Sequence, residues 1–208
     1  MNREEKTVAL EKLKAELAQN EALPLREANL VVGEGDPDAP VVFIGEAPGF
    51  YEDKFQRPFV GRAGKLLDKM IEANNWKRED VYITNIVKRR PPENRDPEPE
   101  ELDAYRPYLS REIEILQPKV IATLGRFSMA YFMPDGKISR DHGKVFWWHD
   151  TLLVPLYHPA AALRSTGVLQ ELEKDFKKLP VIVKKFEELK AQRRKDEPAA
   201  PKEQENLF

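Results

Sequence analysis

Pro40-Val-Val-Phe-Ile44 runs straight into Gly45-Glu46-Ala47-Pro48-Gly49, and the reading of this stretch decides the fold class. The first half is a short apolar run rich in β-branched residues, the pattern of a strand. The second half is a glycine- and proline-bearing loop, a common way to build a ligand site at a strand end. Two comparable runs follow, Val81 to Val87 and Lys119 to Gly125. Lys144 to Trp148 and Thr151 to Tyr157 read as two more strands, joined tightly through His149-Asp150. Helical stripes lie between and around them. Leu10, Leu13 and Leu17 recur within Thr7 to Asn20, and Leu66, Leu67, Met70 and Ile71 within Gly64 to Ala73. After a proline-rich loop from Lys88 to Pro99, Asp96-Pro97 reads as the N-cap and first position of a helix that reaches about Leu116. A short helix is expected from Arg126. Leu172, Phe176, Leu179, Ile182, Phe186 and Leu189 recur at three- and four-residue steps with Pro180 among them, which predicts two helices or one kinked helix. Strand and helix alternate, so the fold class is α/β with a mostly parallel sheet.

The chain of 208 residues corresponds to one ordinary domain that buries about 70% of its extended surface, enough for a full core. Hydrophobic residues make up 41% and charged residues 34%, a mixture that excludes a membrane protein and a wholly disordered chain. The N-terminus, MNREEKTVALEK, is too charged for a signal peptide, so a cytoplasmic protein is expected. Cysteine is absent, which excludes disulfides, thiol catalysis and cysteine-held metal centres. A net charge of -2 argues against a uniformly basic coat and leaves room for a local basic patch. Residues 1–191 read as a single domain opened by a helix within 1–20. Residues 192–208, poor in apolar side chains, read as a disordered tail.

Three loops leave the carboxyl ends of strands and supply complementary chemistry. Gly45 to Gly61 offers Glu46, Glu52 and Asp53 as acceptors or bases, and Phe55 and Phe59 as stacking surfaces. Asn85 to Arg95 offers the amide of Asn85, both donor and acceptor, and the basic residues Lys88, Arg89, Arg90 and Arg95, suited to phosphates. His158 to Arg164 offers His158, able to donate to developing negative charge. Each has a plainer reading. Phe59 beside Pro58 fits a core position, Asn85 a turn cap, the basic run a solvated face, and the glycine loop a tight connection. His142 and His149 have no motif around them.

The series Gly45-Glu-Ala-Pro-Gly49, Glu52-Asp53, Arg57-Pro-Phe-Val-Gly-Arg-Ala-Gly64, Thr84-Asn85-Ile-Val-Lys88, Arg90-Pro-Pro92, Asn94-Arg-Asp-Pro97, Arg106-Pro-Tyr-Leu109 and Tyr157-His-Pro-Ala-Ala161 resembles the family 4 uracil-DNA glycosylases, in their order and spacing over about residues 20 to 180. The resemblance implies a three-layer α/β/α sandwich around a central four-stranded, mostly parallel sheet. It implies removal of uracil from DNA by a monomer with no organic cofactor. It places Glu46 and Ala47 at the base pocket, Phe59 on the stacking aromatic, Asn85 on the amide that reads uracil, and His158 on the second motif's histidine. Glu52 becomes a pocket carboxylate. DNA affinity is expected to rest on Arg62, Lys88, Arg89, Arg90 and Arg164. Family 4 carries a [4Fe–4S] cluster on four cysteines, and their places hold Asn20, Leu23, Arg89 and Tyr105 here, none a thiolate. This implies a cluster-free member with no metal, in which Leu23 and Tyr105 are expected to pack together and Arg89 to find an ion pair or a phosphate. Two other readings stay open, a non-catalytic binder of uracil-containing or damaged DNA and a glycosylase for deaminated purines.

Overall fold

The computed structural model describes residues 1–196. The chain begins with α1 (Arg3–Gln19), an edge strand β1 (Glu34–Gly35), β2 (Val41–Gly45), α2 (Phe50–Phe55), α3 (Arg62–Ala73) and β3 (Tyr82–Asn85). It continues through α4 (Pro99–Leu116), β4 (Val120–Leu124), α5 (Arg126–Phe132), α6 (Ile138–Asp141), β5 (Phe146–Trp148) and β6 (Thr151–Leu156). Helices α7 (Pro159–Ala162), α8 (Thr166–Phe176) and α9 (Leu179–Asp196) close it. No helix among the described residues is long and apolar enough to cross a membrane.

The sheet is mixed and has six strands in the order β1-β3-β2-β4-β6-β5, two more than the resemblance implies. The inner strands pair in parallel, while β1 on β3 and β5 on β6 are antiparallel. Both added strands lie at the edges: β5 is the strand expected over Lys144 to Trp148, shortened to three residues, while β1 has only two residues, too few for a periodicity signal. Alternation along β2 splits the core. Val41 and Phe43 pack with Leu67 and Ile71 of α3 and with α8 and α9, and Phe43 stacks on Phe176 at 5.2 Å. Val42 and Ile44 pack instead with Leu109, Ile113 and Leu116 of α4.

Two element boundaries differ from expectation. The N-cap of α4 is Glu98 rather than Asp96, because Pro99 fills the first helical position and the Glu101 carboxylate, at the third, takes the Glu98 N–H at 2.8 Å. Pro180 breaks the C-terminal pattern into α8 and α9, as one of the two alternatives required, and is accommodated in the first turn of α9. Residues 192–196, expected in the tail, continue α9. Arg193 lies over Trp147 at 5.0 Å and donates to the His149 carbonyl. The rest of the expected tail lies outside the described residues.

A third core cluster joins Leu17, Leu23, Val87 and Tyr105, so the expected packing of Leu23 with Tyr105 is present. Burial pushes the Tyr105 phenol up to about 12, against the pull of Arg89. The neutral hydroxyl donates to the Pro24 carbonyl at 2.8 Å. Arg89 donates to the Ala28 carbonyl, and Asn20 donates to the Tyr108 hydroxyl at 2.7 Å. These residues do not fit an iron–sulfur cluster. Leu23 has no ligating atom, Arg89 is a cation, and Tyr105 keeps its proton and packs in one cluster with Leu23. The N-terminal segment is fastened to α4 by apolar contact and carbonyl hydrogen bonds instead.

Truncating a buried Leu costs about 2–5 kcal/mol and a buried aromatic about 3–5. Leu23→Ala and Tyr105→Ala should each lower the melting temperature by about 5 °C or more, and thermal unfolding of the double variant should show coupling. Two near-neutral single variants would contradict the packing role.

Candidate active site

A cavity of about 660 Å³ opens at the carboxyl ends of β2, β3, β4 and β6, where open α/β sheets hold ligands. Glu46, Ala47, Glu52, Phe59, Asn85, His158 and Arg164 all line it. The three loops thus converge, as their complementary chemistry implied.

The floor is made by a missing side chain. A Cβ on Gly45 would collide with Asn85 Oδ1 and lie 2.5 Å from Phe59 Cζ. Asn85 stands beside Gly45 in parallel register and is 2% exposed. Neither Oδ1 nor Nδ2 has a hydrogen-bond partner within the protein. A turn cap would have used that side chain locally, so the capping reading fails.

Phe59 is both a core residue and a wall of the cavity. Its φ of 51° lies in the left-handed region, a strained backbone for an aromatic residue. The strain is held from several sides. Arg78 donates to the Phe59 carbonyl at 3.2 Å while paired with Glu34 at 2.8 Å and Asp68 at 2.6 Å. Burial pushes Glu34 up, but hydrogen bonds from Arg57 and Arg78 outweigh it and hold its carboxyl below the usual range. Glu52 Oε1 accepts the amides of Val60 at 2.9 Å and Gly61 at 2.7 Å. Glu52 therefore positions the Phe59 loop through Oε1. A Cβ on Gly64 would overlap the Phe59 carbonyl, so the Phe59 backbone can approach the first turn of α3 this closely only over glycine.

His158 caps α7. The Ala160 N–H donates to Nδ1 at 3.1 Å, so Nδ1 carries no hydrogen and the ring proton sits on Nε2. Burial, partly opposed by Glu52, holds the imidazole down to about 4. The ring is neutral at pH 7, a donor without charge, tilted against Phe59 with centroids 5.7 Å apart. Glu46 moves the other way. Burial pushes its carboxyl up to about 7, Asp96 adds to the shift and Arg126 opposes it. Arg126 and Asp96 are themselves paired at 3.1 Å, and both line the cavity. The sequence reading missed Arg126 and Asp96. The signal for Arg126 was its place directly after Gly125, past the end of β4.

The basic run is mostly internal, which corrects two expected DNA contacts. Lys88 is 1% exposed. Its ammonium donates to Glu112 at 2.6 Å, to Thr84 Oγ1 at 2.7 Å and to the Asn85 carbonyl at 2.7 Å, which uses all three hydrogens. It positions Asn85 and has none left for a phosphate. Arg89 is buried on the Ala28 carbonyl. Arg90 is half-buried, and Arg62 and Arg164 are exposed. His142 is bonded to Asp175 at 2.6 Å and His149 turns the β5–β6 hairpin at φ 49°. Neither lines the cavity.

Residues 32–182 match the family described as the uracil DNA glycosylase superfamily. The chain is 46% identical over 183 residues to a type-4 uracil-DNA glycosylase of Sulfurisphaera tokodaii, covering 82% of this chain and 83% of that protein. It is 48% identical over 161 residues to a type-4 uracil-DNA glycosylase of Saccharolobus solfataricus, covering 73% and 74%. A type-4 uracil-DNA glycosylase of Thermotoga maritima is 44% identical over 162 residues, covering 73% and 84%.

The raised Glu46 has a stability consequence whose sign is fixed. The folded protein holds this proton more tightly than the unfolded chain, so ionising Glu46 removes stability as pH rises from its ordinary 4.5 to about 7. Glu46→Gln should therefore raise the melting temperature at pH 8 and change it little at pH 5. Equal shifts at both pH values, measured by thermal unfolding, would contradict the raised carboxyl.

Proposed function

Because the chain belongs to the uracil-DNA glycosylase superfamily, we propose that it is a monofunctional uracil-DNA glycosylase, which extrudes uracil from DNA and hydrolyses its N-glycosidic bond. The observation that carries this is Asn85, a buried amide lining the cavity beside Phe59 with both polar atoms unpartnered. Unmade buried hydrogen bonds cost about 1–3 kcal/mol each. Uracil relieves that cost by accepting at O4 and donating from N3–H, whereas cytosine offers the opposite pattern. Extrusion costs a few kcal/mol, and stacking on Phe59 returns about 1–3 kcal/mol.

Bond cleavage leaves negative charge on uracil and positive charge on the sugar. The neutral His158, with its proton on Nε2, donates to the anion, and such a donor is worth about 3–4 kcal/mol in the transition state. A histidine already charged would bind the ground state too and gain less from the developing charge. Ala47 and the Gly45–Gly49 loop close the base pocket. The Glu46 carboxylate faces the sugar side, stabilises its positive charge and orients the water that attacks C1′. A pure DNA binder has no use for a buried carboxylate titrating near neutrality. Arg62, Arg90, Arg126 and Arg164 are the phosphate contacts of this reading, with Lys88 and Arg89 removed from the set. Action as a monomer is part of this reading. No lysine stands among the described lining residues, so an abasic site without a strand break is expected.

Uracil release from oligonucleotides carrying uracil, thymine, cytosine, hypoxanthine or xanthine tests the reading. Only uracil should be released, and borohydride should trap no adduct. His158→Ala should lower kcat by about 10²–10³ while DNA binding persists. Asn85→Asp should admit cytosine. Since Glu46 must be ionised, kcat/KM should fall as pH drops below about 7 and level off above it. His158, neutral down to about 4, should add no limb in between. A rate independent of pH from 5 to 8 would remove Glu46 from the mechanism.

A further inference from the structure

Helix α2 carries three large apolar side chains that the core leaves out. Phe50, Tyr51 and Phe55 are 51%, 52% and 56% exposed, and no residue of the helix is buried. Single exposed hydrophobics are ordinary, but a cluster beside a cavity marks an interaction surface. Phe50 and Tyr51 meet edge to face with centroids 5.4 Å apart. The Arg90 guanidinium lies over Phe50 at 5.2 Å, and the Lys54 ammonium lies 5.7 Å from the Phe55 ring. Both carboxylates of the helix are engaged elsewhere. Glu52 holds the Val60 and Gly61 amides, and Asp53 accepts the Asn29 amide at 2.7 Å. The rings left to solvent thus have the cations of Arg90 and Lys54 beside them.

This surface is continuous with the cavity. Gly49, the N-cap of α2, lines the cavity, as does Asn94, whose Oδ1 accepts from Arg90 at 2.7 Å. We propose that α2 is a stacking platform for unpaired nucleotides flanking the extruded base, so that uracil in single-stranded DNA is the favoured substrate. The inference rests on the reading of the cavity as the uracil site. Aromatic rings accept any base because every base has a π face, and neighbouring cations track the backbone. Duplex bases are already stacked on their neighbours and gain nothing from the platform, whereas an unpaired base gains a partner. The cations over the rings also favour a polyanion over an apolar protein segment, which would have to strip water from Arg90 and Lys54 without neutralising them.

Fluorescence anisotropy with a labelled, uracil-free oligothymidine strand and the matching duplex tests the platform apart from catalysis. Phe50→Ala/Tyr51→Ala should weaken single-strand binding about tenfold and duplex binding by about twofold at most. Phe50→Trp/Tyr51→Trp should retain single-strand binding. In uracil release, the alanine variant should raise KM on the single strand by a similar factor. Unchanged single-strand affinity, or equal loss on both DNAs, overturns the proposal. A wild-type protein that shows the selective binding but releases no uracil would overturn the glycosylase reading and leave the stacking surface standing.

Discussion

The hydrogen atom that stands in place of a side chain at Gly45 is the constraint on which the cavity depends. It lets the Asn85 amide and the Phe59 ring occupy volume that any Cβ would fill. Both groups are then fixed from behind. Lys88 grips the Asn85 carbonyl from a buried ion pair with Glu112, an arrangement in which removing one partner strands the other charge in the interior. Phe59 sits on a left-handed backbone that Arg78, Glu34 and Glu52 hold in place. The two-residue edge strand β1 thereby acquires a purpose, since it carries the carboxylate that orients Arg78. Rigid support from charged and backbone partners is what keeps an unsatisfied amide and a strained aromatic from relaxing into each other.

One physical cause sets both titratable groups of the site. Burial penalises charge, so it raises the carboxyl of Glu46 and lowers the imidazole of His158. The directions differ because the charged form is the deprotonated one for Glu46 and the protonated one for His158. Asp96 adds to the first shift and Arg126 opposes it, while Glu52 opposes the second. His158 is left neutral with its proton directed by the Ala160 amide. A carboxyl poised near neutral pH beside an uncharged donor suits a reaction that separates charge, with the anion on one side and the cation on the other.

The region around Leu23 and Tyr105 shows a different solution to a fastening problem. The segment after α1 and the loop after β3 must be tied to α4 for Asn94, Arg95 and Asp96 to reach the cavity rim. Here the tie is a small apolar cluster with Tyr105 and Arg89 donating to carbonyls of residues 24 and 28. Such a tie depends on no redox state, and its strength is ordinary packing energy distributed over several side chains.

The inner strands, the long helices and the convergence of three loops were legible in the sequence. Runs such as Val41–Ile44 and stripes such as Leu66–Ile71 reflect local periodicity, and loops at strand ends must meet on one edge of a parallel sheet. The motif residues Glu46, Phe59, Asn85 and His158 were legible as types at fixed spacing, and the cavity unites them. Lys88 and Arg89 differ from expectation because a basic run looks the same whether its charges meet water, a distant carboxylate or a backbone carbonyl. Only the approach of α4, which brings Glu112 to Lys88, decided that. The role of Glu52, the proton position on His158, the titration of Glu46 and the exposure of the α2 aromatics likewise depend on neighbours far away in the chain. By itself the sequence determined which groups are present and how the backbone alternates, because these follow from local chemistry. The tertiary structure alone decided which of those groups are desolvated, partnered or free, because burial and Coulomb interactions depend on distance in space and not on distance along the chain.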